Sequence, residues 1–171
     1  MKKNIILIGF MGVGKGTVAR AYAKRYGVFN IDTDDLIESS VNAEVKAIFA
    51  KYGEAHFRAQ EQACAKWIEK SVKKTLISCG GGFYKVENLK KLGTVVLLDA
   101  SFAWIHNRLK TAKNAEEKLA KRPLFSTIDK ARALYAEREI AYKEVADIIV
   151  NVEDKSMKAI CKEIKKSLKS S

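Results

Sequence analysis

Five short apolar segments constrain the fold of this chain more than any other feature. Their sequences are IILIG, VFNID, TLISC, TVVLLD and DIIVNV. Most are rich in valine, isoleucine and leucine without polar alternation, as expected of strands buried on both faces. The segments between them read as helices, most clearly over 15–26, 54–72, 102–110, 129–145 and 156–168. Strands alternating with helices predict a parallel α/β sheet, and we expect one domain over residues 1–171.

A glycine-rich segment, GFMGVGKGT, directly follows the first of these strands. Gly9, Gly14 and Lys15 fit the phosphate-binding pattern G-x-x-x-x-G-K-[ST]. Glycines let the backbone wrap a phosphate, and the next helix supplies amide donors and positive potential. The strand–loop–helix context disfavours the alternative of a tight turn with a surface lysine, so we predict a nucleotide site. The position that usually carries a hydroxyl for Mg²⁺ is Gly16, and Thr17 comes one residue late.

Two aspartates end the second apolar segment, in the sequence NIDTDD. If the strand continues through them, Asp32 and Asp34 project to one side and Thr33 to the other. Ligands bind at the carboxyl ends of strands in open parallel sheets. One carboxylate would hold Mg²⁺ through its water shell, and the other would accept a proton from an attacking hydroxyl. The alternative, that Asp34 or Asp35 caps the helix DLIESS, explains one aspartate but not the pair.

An arginine and a run of glycines are further candidates for a site. Glu54 and Glu61 lie one turn to either side of Arg58 and would orient its guanidinium, although such a group is usually a surface ion pair. Three consecutive glycines, 80–82, follow the third strand at its carboxyl end. We expect a ligand to meet bare backbone there. A flexible turn is the alternative, but consecutive glycines cost conformational entropy.

The net charge of +12, from 32 Lys and Arg against 20 Asp and Glu, predicts anionic partners. Nucleic acid, a membrane surface and a small phosphorylated or carboxylated substrate are the three candidates. Arg122 and Arg138 suit the last, since arginine binds phosphates and carboxylates. The sequence has no recognised nucleic-acid motif, and its C-terminal lysines alternate with helically spaced apolar residues. We therefore expect no nucleic-acid partner, and the apolar runs are too short to span a membrane.

The N-terminus and the cysteines predict a cytoplasmic protein. The apolar part of MKKNIILIGFMG is short and interrupted by Gly9 and Gly12, so we interpret it as a buried strand rather than a secretory signal. Cys64, Cys79 and Cys161 are far apart and odd in number, forming neither a metal spacing nor a disulfide framework.

Together these motifs resemble those of the shikimate kinase family. Their order is the phosphate loop, DTD, FR with a glutamate three residues later, GGG, RPL, and ER followed by Y. Each is short, but their order and spacing are specific and extend over nearly the whole chain. The resemblance implies a P-loop kinase of the nucleoside-monophosphate-kinase-like fold, with three α/β/α layers and a five-stranded parallel sheet. It further implies a substrate-binding region at 33–61 and a mobile lid at 110–125.

The resemblance also implies an activity and roles for individual residues. The activity is ATP-dependent phosphorylation of the 3-hydroxyl of shikimate, in the pathway to chorismate and aromatic amino acids, and we expect a monomer. Lys15, Asp34 and Arg122 would be catalytic, with Asp34 the candidate base and Arg122 brought onto the phosphates by the lid. ATP would be bound by Gly12, Val13, Gly14, Lys15, Gly16, Thr17, Arg108, Arg122 and Lys155; shikimate by Asp34, Arg58, Gly80, Gly81, Gly82, Arg138, Phe49 and Phe57; and Mg²⁺ by Thr17, Asp32 and the Gly16 position, whose side-chain ligand is absent.

Two departures from the family pattern keep alternatives open. Gly16 replaces the usual Ser or Thr, as in the Lys-Gly-Thr of adenylate kinases, and the stretch 108–122 is long enough for an enlarged lid. A nucleoside-monophosphate kinase and a gluconate kinase are the enzymatic alternatives. A non-catalytic, basic ATP-binding module that contacts nucleic acid is the alternative from another class.

Overall fold

The computed structural model describes residues 3–111 and 127–170. Within them, five parallel strands form one sheet in the order β2-β3-β1-β4-β5. The predicted five-stranded parallel sheet is confirmed. The strands are β1 (Asn4–Ile8), β2 (Asn30–Asp32), β3 (Leu76–Ser78), β4 (Gly93–Asp99) and β5 (Ile148–Asn151).

Helices connect the strands, and four of the five predicted ones agree with the structure to within two residues. The third does not, because α3 begins at Val45 instead of residue 54. Gly53 interrupts it with φ 77° and ψ 176°, so the predicted start marks only its second half. The helices are α1 (Lys15–Tyr26), α2 (Thr33–Val41), α3 (Val45–Ser71), α4 (Leu89–Leu92), α5 (Phe102–Lys110), α6 (Ile128–Val145) and α7 (Met157–Ser170), with a 3₁₀ turn at Phe83–Lys85.

The hydrophobic core is divided into two parts of unequal size. The larger part lies around the sheet, where all five residues of β1 are buried between β3 and β4. The smaller part consists of Ile37, Ile48 and Phe57 from α2 and α3. Cys64 packs against both parts. The second half of α3 therefore joins the small core to the main one.

The parallel pairing brings three chain segments to one edge of the sheet. Leu7 of β1 and Asp32 of β2 both pair with Ser78 of β3, so these strands end at the same level. The glycine loop, the start of α2 and the three consecutive glycines follow directly. Separately, none of the helices in the described ranges combines the length and apolarity needed to cross a membrane.

Candidate active site

The glycine loop connects β1 to α1 through backbone conformations that favour glycine. Gly9, Gly12 and Gly14 have φ values of 143°, 87° and 109°. Gly12 also lacks space for a side chain, since a Cβ there would lie 2.9 Å from Leu109 Cδ1. Gly14 is the N-cap of α1, whose first turn carries no acidic residue. The positive end of this helix therefore faces the loop, as a phosphate site requires.

Lys15 folds back over the loop. Its ammonium donates hydrogen bonds to the carbonyl oxygens of Gly9 at 2.7 Å and Phe10 at 3.3 Å. These contacts hold a positive charge beside the backbone amides at the start of α1.

Gly16 lies in the first turn of α1, where the local structure leaves room for a side chain. Among the described atoms, a Cβ at this position would contact Arg20 Nη1 at 3.4 Å, an ordinary distance, and nothing closer. Thr17, the next residue, is exposed. The missing hydroxyl at residue 16 is therefore not enforced by crowding in the protein itself.

The aspartate pair does not have the geometry that we predicted. Strand β2 ends at Asp32 and α2 begins at Thr33, so side chains do not alternate through the segment. Asp32 Oδ1 accepts a hydrogen bond from Asp34 N at 3.0 Å, which makes Asp32 the N-cap of α2. The alternative prediction, a cap at Asp34 or Asp35, is wrong as well, because the helix begins immediately after the strand.

Asp34 lies in the first turn of α2, close to several other charges. Among the described residues its Oδ1 is buried without a hydrogen-bond partner. Burial, and then the nearby Asp32 and Glu61 carboxylates, raise the pKa of Asp34 to about 7, against the opposing effect of Lys15. A carboxyl group with this pKa is able to accept a proton near neutral pH.

Thr33 is a residue that the sequence analysis assigned no role. It is fully buried, and its Oγ1 accepts a hydrogen bond from Gly80 N at 2.9 Å. This bond ties the three-glycine loop to the first turn of α2. The sequence did contain a signal for this role, because Thr33 is a hydroxyl residue between two aspartates at the end of a predicted strand.

The three consecutive glycines each face one candidate side chain. A Cβ at Gly80 would overlap the Asp34 carboxylate, and one at Gly82 would overlap the Arg58 guanidinium. At Gly81 a Cβ would come within 3.0 Å of Arg138 Nη1. None of the three has a positive φ. Glycine is thus needed here for space, so that side chains from α2, α3 and α6 can approach the loop.

The predicted orientation of Arg58 by two glutamates is confirmed. Its Nη1 donates to Glu61 Oε2 at 2.6 Å, and its Nη2 and Nε donate to Glu54 Oε1 at 2.8 and 3.0 Å. Glu61 is only 1% exposed, and among the described residues its Oε1 has no partner. Burial raises the pKa of Glu61, although Arg58 opposes this. The Arg58–Glu61 contact is therefore partly buried, whereas the contact with Glu54 lies at the surface.

Arg138 and Tyr142 lie one turn apart on α6 and both bind Gly81. Arg138 Nη1 donates to the Gly81 carbonyl at 3.1 Å, and the Tyr142 hydroxyl donates to the same oxygen at 2.6 Å. Arg138 is 7% exposed, and its Nε has no partner among the described residues. Tyr142 belonged to the quoted motif but was not predicted as a site residue.

The two predicted ring-packing residues lie beside Arg58. The rings of Phe49 and Phe57 are 4.7 Å apart, and the Arg58 guanidinium carbon lies 5.9 and 5.8 Å from their centres. Phe57 belongs to the small core, and Phe49 packs against it. The small core therefore supports the aromatic side of the site.

The three remaining candidates have different surroundings. Arg108 Nη1 donates to the Gly12 carbonyl at 2.9 Å, which places its guanidinium on the glycine loop. Lys155 is paired with Glu163 on α7 at 2.7 Å, so its ammonium lies against that helix. Arg122 and most of the predicted lid, its residues 112–125, lie outside the described residues.

Comparison with known proteins supports the same assignment over most of the chain. The family model described as shikimate kinase matches residues 11–169. Among curated proteins, the shikimate kinase of Helicobacter hepaticus is 42% identical over 149 residues, covering 87% of this chain and 86% of that protein. The shikimate kinase of Sulfurihydrogenibium sp. is 36% identical over 173 residues, covering 98% of each.

Solved structures of similar proteins have the same fold. Shikimate kinase from Acinetobacter baumannii in complex with shikimate superposes with a TM-score of 0.86 at 29% identity, covering 99% of this chain and 94% of that chain. Shikimate kinase from Aquifex aeolicus superposes with a TM-score of 0.77 at 34% identity, covering 98% and 96%. The match to the family model and the similarity to these relatives show that this chain belongs to the shikimate kinase family.

Proposed function

We propose that this protein transfers the γ-phosphoryl group of ATP to the 3-hydroxyl of shikimate, in the pathway to chorismate and aromatic amino acids. Membership of the family supports ATP as the phosphoryl donor. The observation that carries the choice of acceptor is the convergence of one carboxylate and two guanidinium groups on the three-glycine loop. Asp34 faces Gly80, Arg138 faces Gly81 and Arg58 faces Gly82.

This cluster has the chemistry to bind a hydroxylated carboxylic acid. Three of the five N–H groups of Arg58 donate to Glu54 and Glu61, so two are left for a ligand among the described contacts. Arg138 donates one N–H group to Gly81, and its Nε is likewise available. Two guanidinium groups suit an acceptor carboxylate. Asp34 would bind the hydroxyl groups, and Phe49 and Phe57 would lie beside the ring.

Phosphoryl transfer requires a base that accepts the hydroxyl proton and positively charged groups that stabilise the phosphates. Asp34 would accept the proton of the 3-hydroxyl, because burial and its acidic neighbours keep its pKa near 7. Lys15 and the amides that open α1 would stabilise the transferring phosphoryl group. Arg122 would add a further positive charge from the lid at 110–125, which would also exclude water.

Mg²⁺ would bind at the end of the glycine loop and β2. It keeps several waters and binds phosphate oxygens with only one or two protein groups, so a full set of protein ligands is not needed. Asp32 and Thr17 would hold its water shell, in the absence of a hydroxyl at Gly16. When bound, the ion neutralises charge on the phosphates.

The same proposal includes the partners, the oligomeric state and the cellular compartment of the protein. Its partners would be shikimate and ATP, with no nucleic acid or membrane partner, and we propose a cytoplasmic monomer. The three cysteines are free thiols, which suits a reducing compartment.

Assays of phosphoryl transfer from ATP to shikimate, AMP and gluconate test the proposal. We expect turnover with shikimate alone. Arg58→Ala and Arg138→Ala should raise the KM for shikimate by roughly 10- to 150-fold, the loss of a charge-assisted hydrogen bond, with little change in the KM for ATP. Arg132→Ala is a matched control, since Arg132 is an exposed arginine of α6 that lies over Phe102.

Two results would reject the proposed activity, and a third would reject only the assignment of the two arginines. Turnover with AMP or gluconate instead of shikimate would indicate another kinase of this fold. No turnover, combined with salt-sensitive binding of DNA or RNA, would indicate a non-catalytic module. Equal effects of the two arginine variants on both substrates would refute their assignment to the acceptor.

A further inference from the structure

Trp104 contacts Arg108, the arginine that is bonded to the glycine loop, although no role has been assigned to it. It lies on α5, one turn before Arg108, and the Arg108 guanidinium carbon is 5.5 Å from the centre of its ring. Tryptophan is the most favourable ring for a cation–π contact, and arginine is the cation found there more often than lysine. The indole therefore holds the guanidinium in one position.

The position in which Arg108 is held is on the glycine loop itself. Its Nη1 donates to the Gly12 carbonyl at 2.9 Å, and a Cβ at Gly14 would come within 2.7 Å of the same nitrogen. Among the described residues, no carboxylate forms an ion pair with Arg108. Among the described contacts, the Gly12 carbonyl and the indole ring of Trp104 are thus the two favourable electrostatic partners of Arg108.

The other edge of Trp104 contacts the turn between β5 and α7. Its indole Nε1 donates to Asp154 Oδ1 at 3.4 Å. Asp154 has a φ of 54°, a left-handed conformation at the exposed tip of this turn. Beside it, Glu153 Oε1 accepts a hydrogen bond from Ser101 N at 2.5 Å, at the N-cap of α5. Trp104 thus contacts the 152–156 turn on one side and, on the other, Arg108, which is bonded to the glycine loop.

We propose that Trp104 is a positioning residue for the nucleotide site at the glycine loop. It fixes the Arg108 guanidinium on the loop and holds the 152–156 turn next to it, so the nucleotide meets two surfaces that are already in place. Without the indole, the long Arg108 side chain regains rotamer freedom that nucleotide binding must then remove. This inference rests on the ATP site of the proposed function.

Binding of ADP, measured by calorimetry without any acceptor, tests the proposal. Trp104→Leu should raise the Kd for ADP by about 3- to 30-fold, the range of a cation–π contact at a partly buried site. The Kd for shikimate measured without nucleotide should not change. Trp67→Leu is the matched control, because Trp67 is 48% exposed on α3, and it should leave the Kd for ADP unchanged.

A double variant separates positioning through Arg108 from a general loss of structure. If Trp104 acts through Arg108, then Trp104→Leu should add less than about a twofold effect in an Arg108→Ala background. Effects that multiply in full would overturn the proposal, since they are the result expected of independent sites. Trp104→Phe, which keeps a ring under Arg108, should recover most of the affinity for ADP.

A second variant leaves the interior of the protein unchanged. Asp154→Gly removes the acceptor of the indole hydrogen bond, at an exposed position whose φ of 54° glycine adopts without strain. It should raise the Kd for ADP by about 2- to 10-fold. Wild-type affinity for ADP in both Trp104→Leu and Asp154→Gly would refute the inference. These binding experiments contain no phosphoryl-acceptor substrate, so they would not be affected if shikimate were the wrong acceptor. Failure of the wild-type protein to bind ADP would instead refute the nucleotide site itself.

Discussion

The guanidinium group of Arg58 occupies the space that a side chain at residue 82 would need. The two residues come from α3 and from the loop after β3, and they meet because Gly82 has no Cβ. Gly80 and Gly81 make the same allowance for Asp34 and Arg138. The three-glycine loop is therefore a steric device that brings a base and two cations together.

This relationship predicts the effect of adding one methyl group to the loop. Gly82→Ala should displace Arg58 and raise the KM for shikimate by roughly 10- to 150-fold, as loss of its charge-assisted hydrogen bond would. The effect of Gly81→Ala should be smaller, because a Cβ there meets Arg138 Nη1 at 3.0 Å without overlapping it. Steady-state kinetics with both substrates provides the measurement, with the KM for ATP as the internal control. A normal KM for shikimate in Gly82→Ala would refute the steric role.

The pKa of Asp34 predicts a pH dependence of catalysis. The carboxylate must be deprotonated to accept the hydroxyl proton, so kcat/KM for shikimate should rise with pH and level off above about 7. Glu61→Gln removes one of the charges that raise the pKa of Asp34, and the rise should then occur at lower pH. A profile that is flat from pH 5.5 to 8.5 would be inconsistent with Asp34 as the base.

The same group predicts a pH dependence of stability. Because the folded-state pKa of Asp34 is raised from 3.8 to about 7, its contribution to stability is complete below about pH 4 and is lost as the pH rises through 7. The loss is on the order of 4 kcal/mol at most, at about 1.4 kcal/mol per pKa unit. Asp34→Asn removes the titrating carboxyl group, so the variant should not lose this stability as the pH rises. The difference in Tm between the variant and the wild type should therefore increase from pH 5 to pH 8, and the variant should be inactive. A difference in Tm that does not vary with pH would contradict this account.

The space beside Gly16 leads to the prediction that a hydroxyl residue at this position would lower the Mg²⁺ concentration that the enzyme requires. Among the described atoms, a Cβ at this position contacts only Arg20 Nη1, at 3.4 Å. Gly16→Ser should therefore remain active and need severalfold less Mg²⁺ for half-maximal rate, because its hydroxyl would become a direct ligand. Gly16→Ala is the matched control and should keep the wild-type requirement. If both variants fold but lose activity, the bound phosphate approaches too closely for any side chain at residue 16.

The sequence was sufficient for the strands and for most helices, because their apolar periodicity is a local property. It was not sufficient for the start of α3. A glycine such as Gly53 usually marks a helix boundary in a sequence, but here it only interrupts a helix that begins at Val45. The geometry of Asp32 and Asp34 was also predicted incorrectly. The sequence DTD does not show that β2 ends at Asp32 and that α2 begins at the next residue.

The composition of the site was easier to predict than its arrangement. Arg58 and its two glutamates are neighbours on one helix, so their contact followed from spacing. Tyr142 and Gly81 are 61 residues apart, and Thr33 and Gly80 are 47 apart. Contacts at such separations depend on how the strands are ordered in the sheet, which one sequence does not specify.

The small core of Ile37, Ile48 and Phe57 has a consequence for how tightly the acceptor binds. Each such side chain stabilises the folded state by roughly 1.5–3 kcal/mol when fully buried. These side chains pack α2 against α3, and Phe57 is also one of the two rings beside the Arg58 guanidinium. A substitution that loosens this core should therefore weaken the binding of shikimate without touching the ligand.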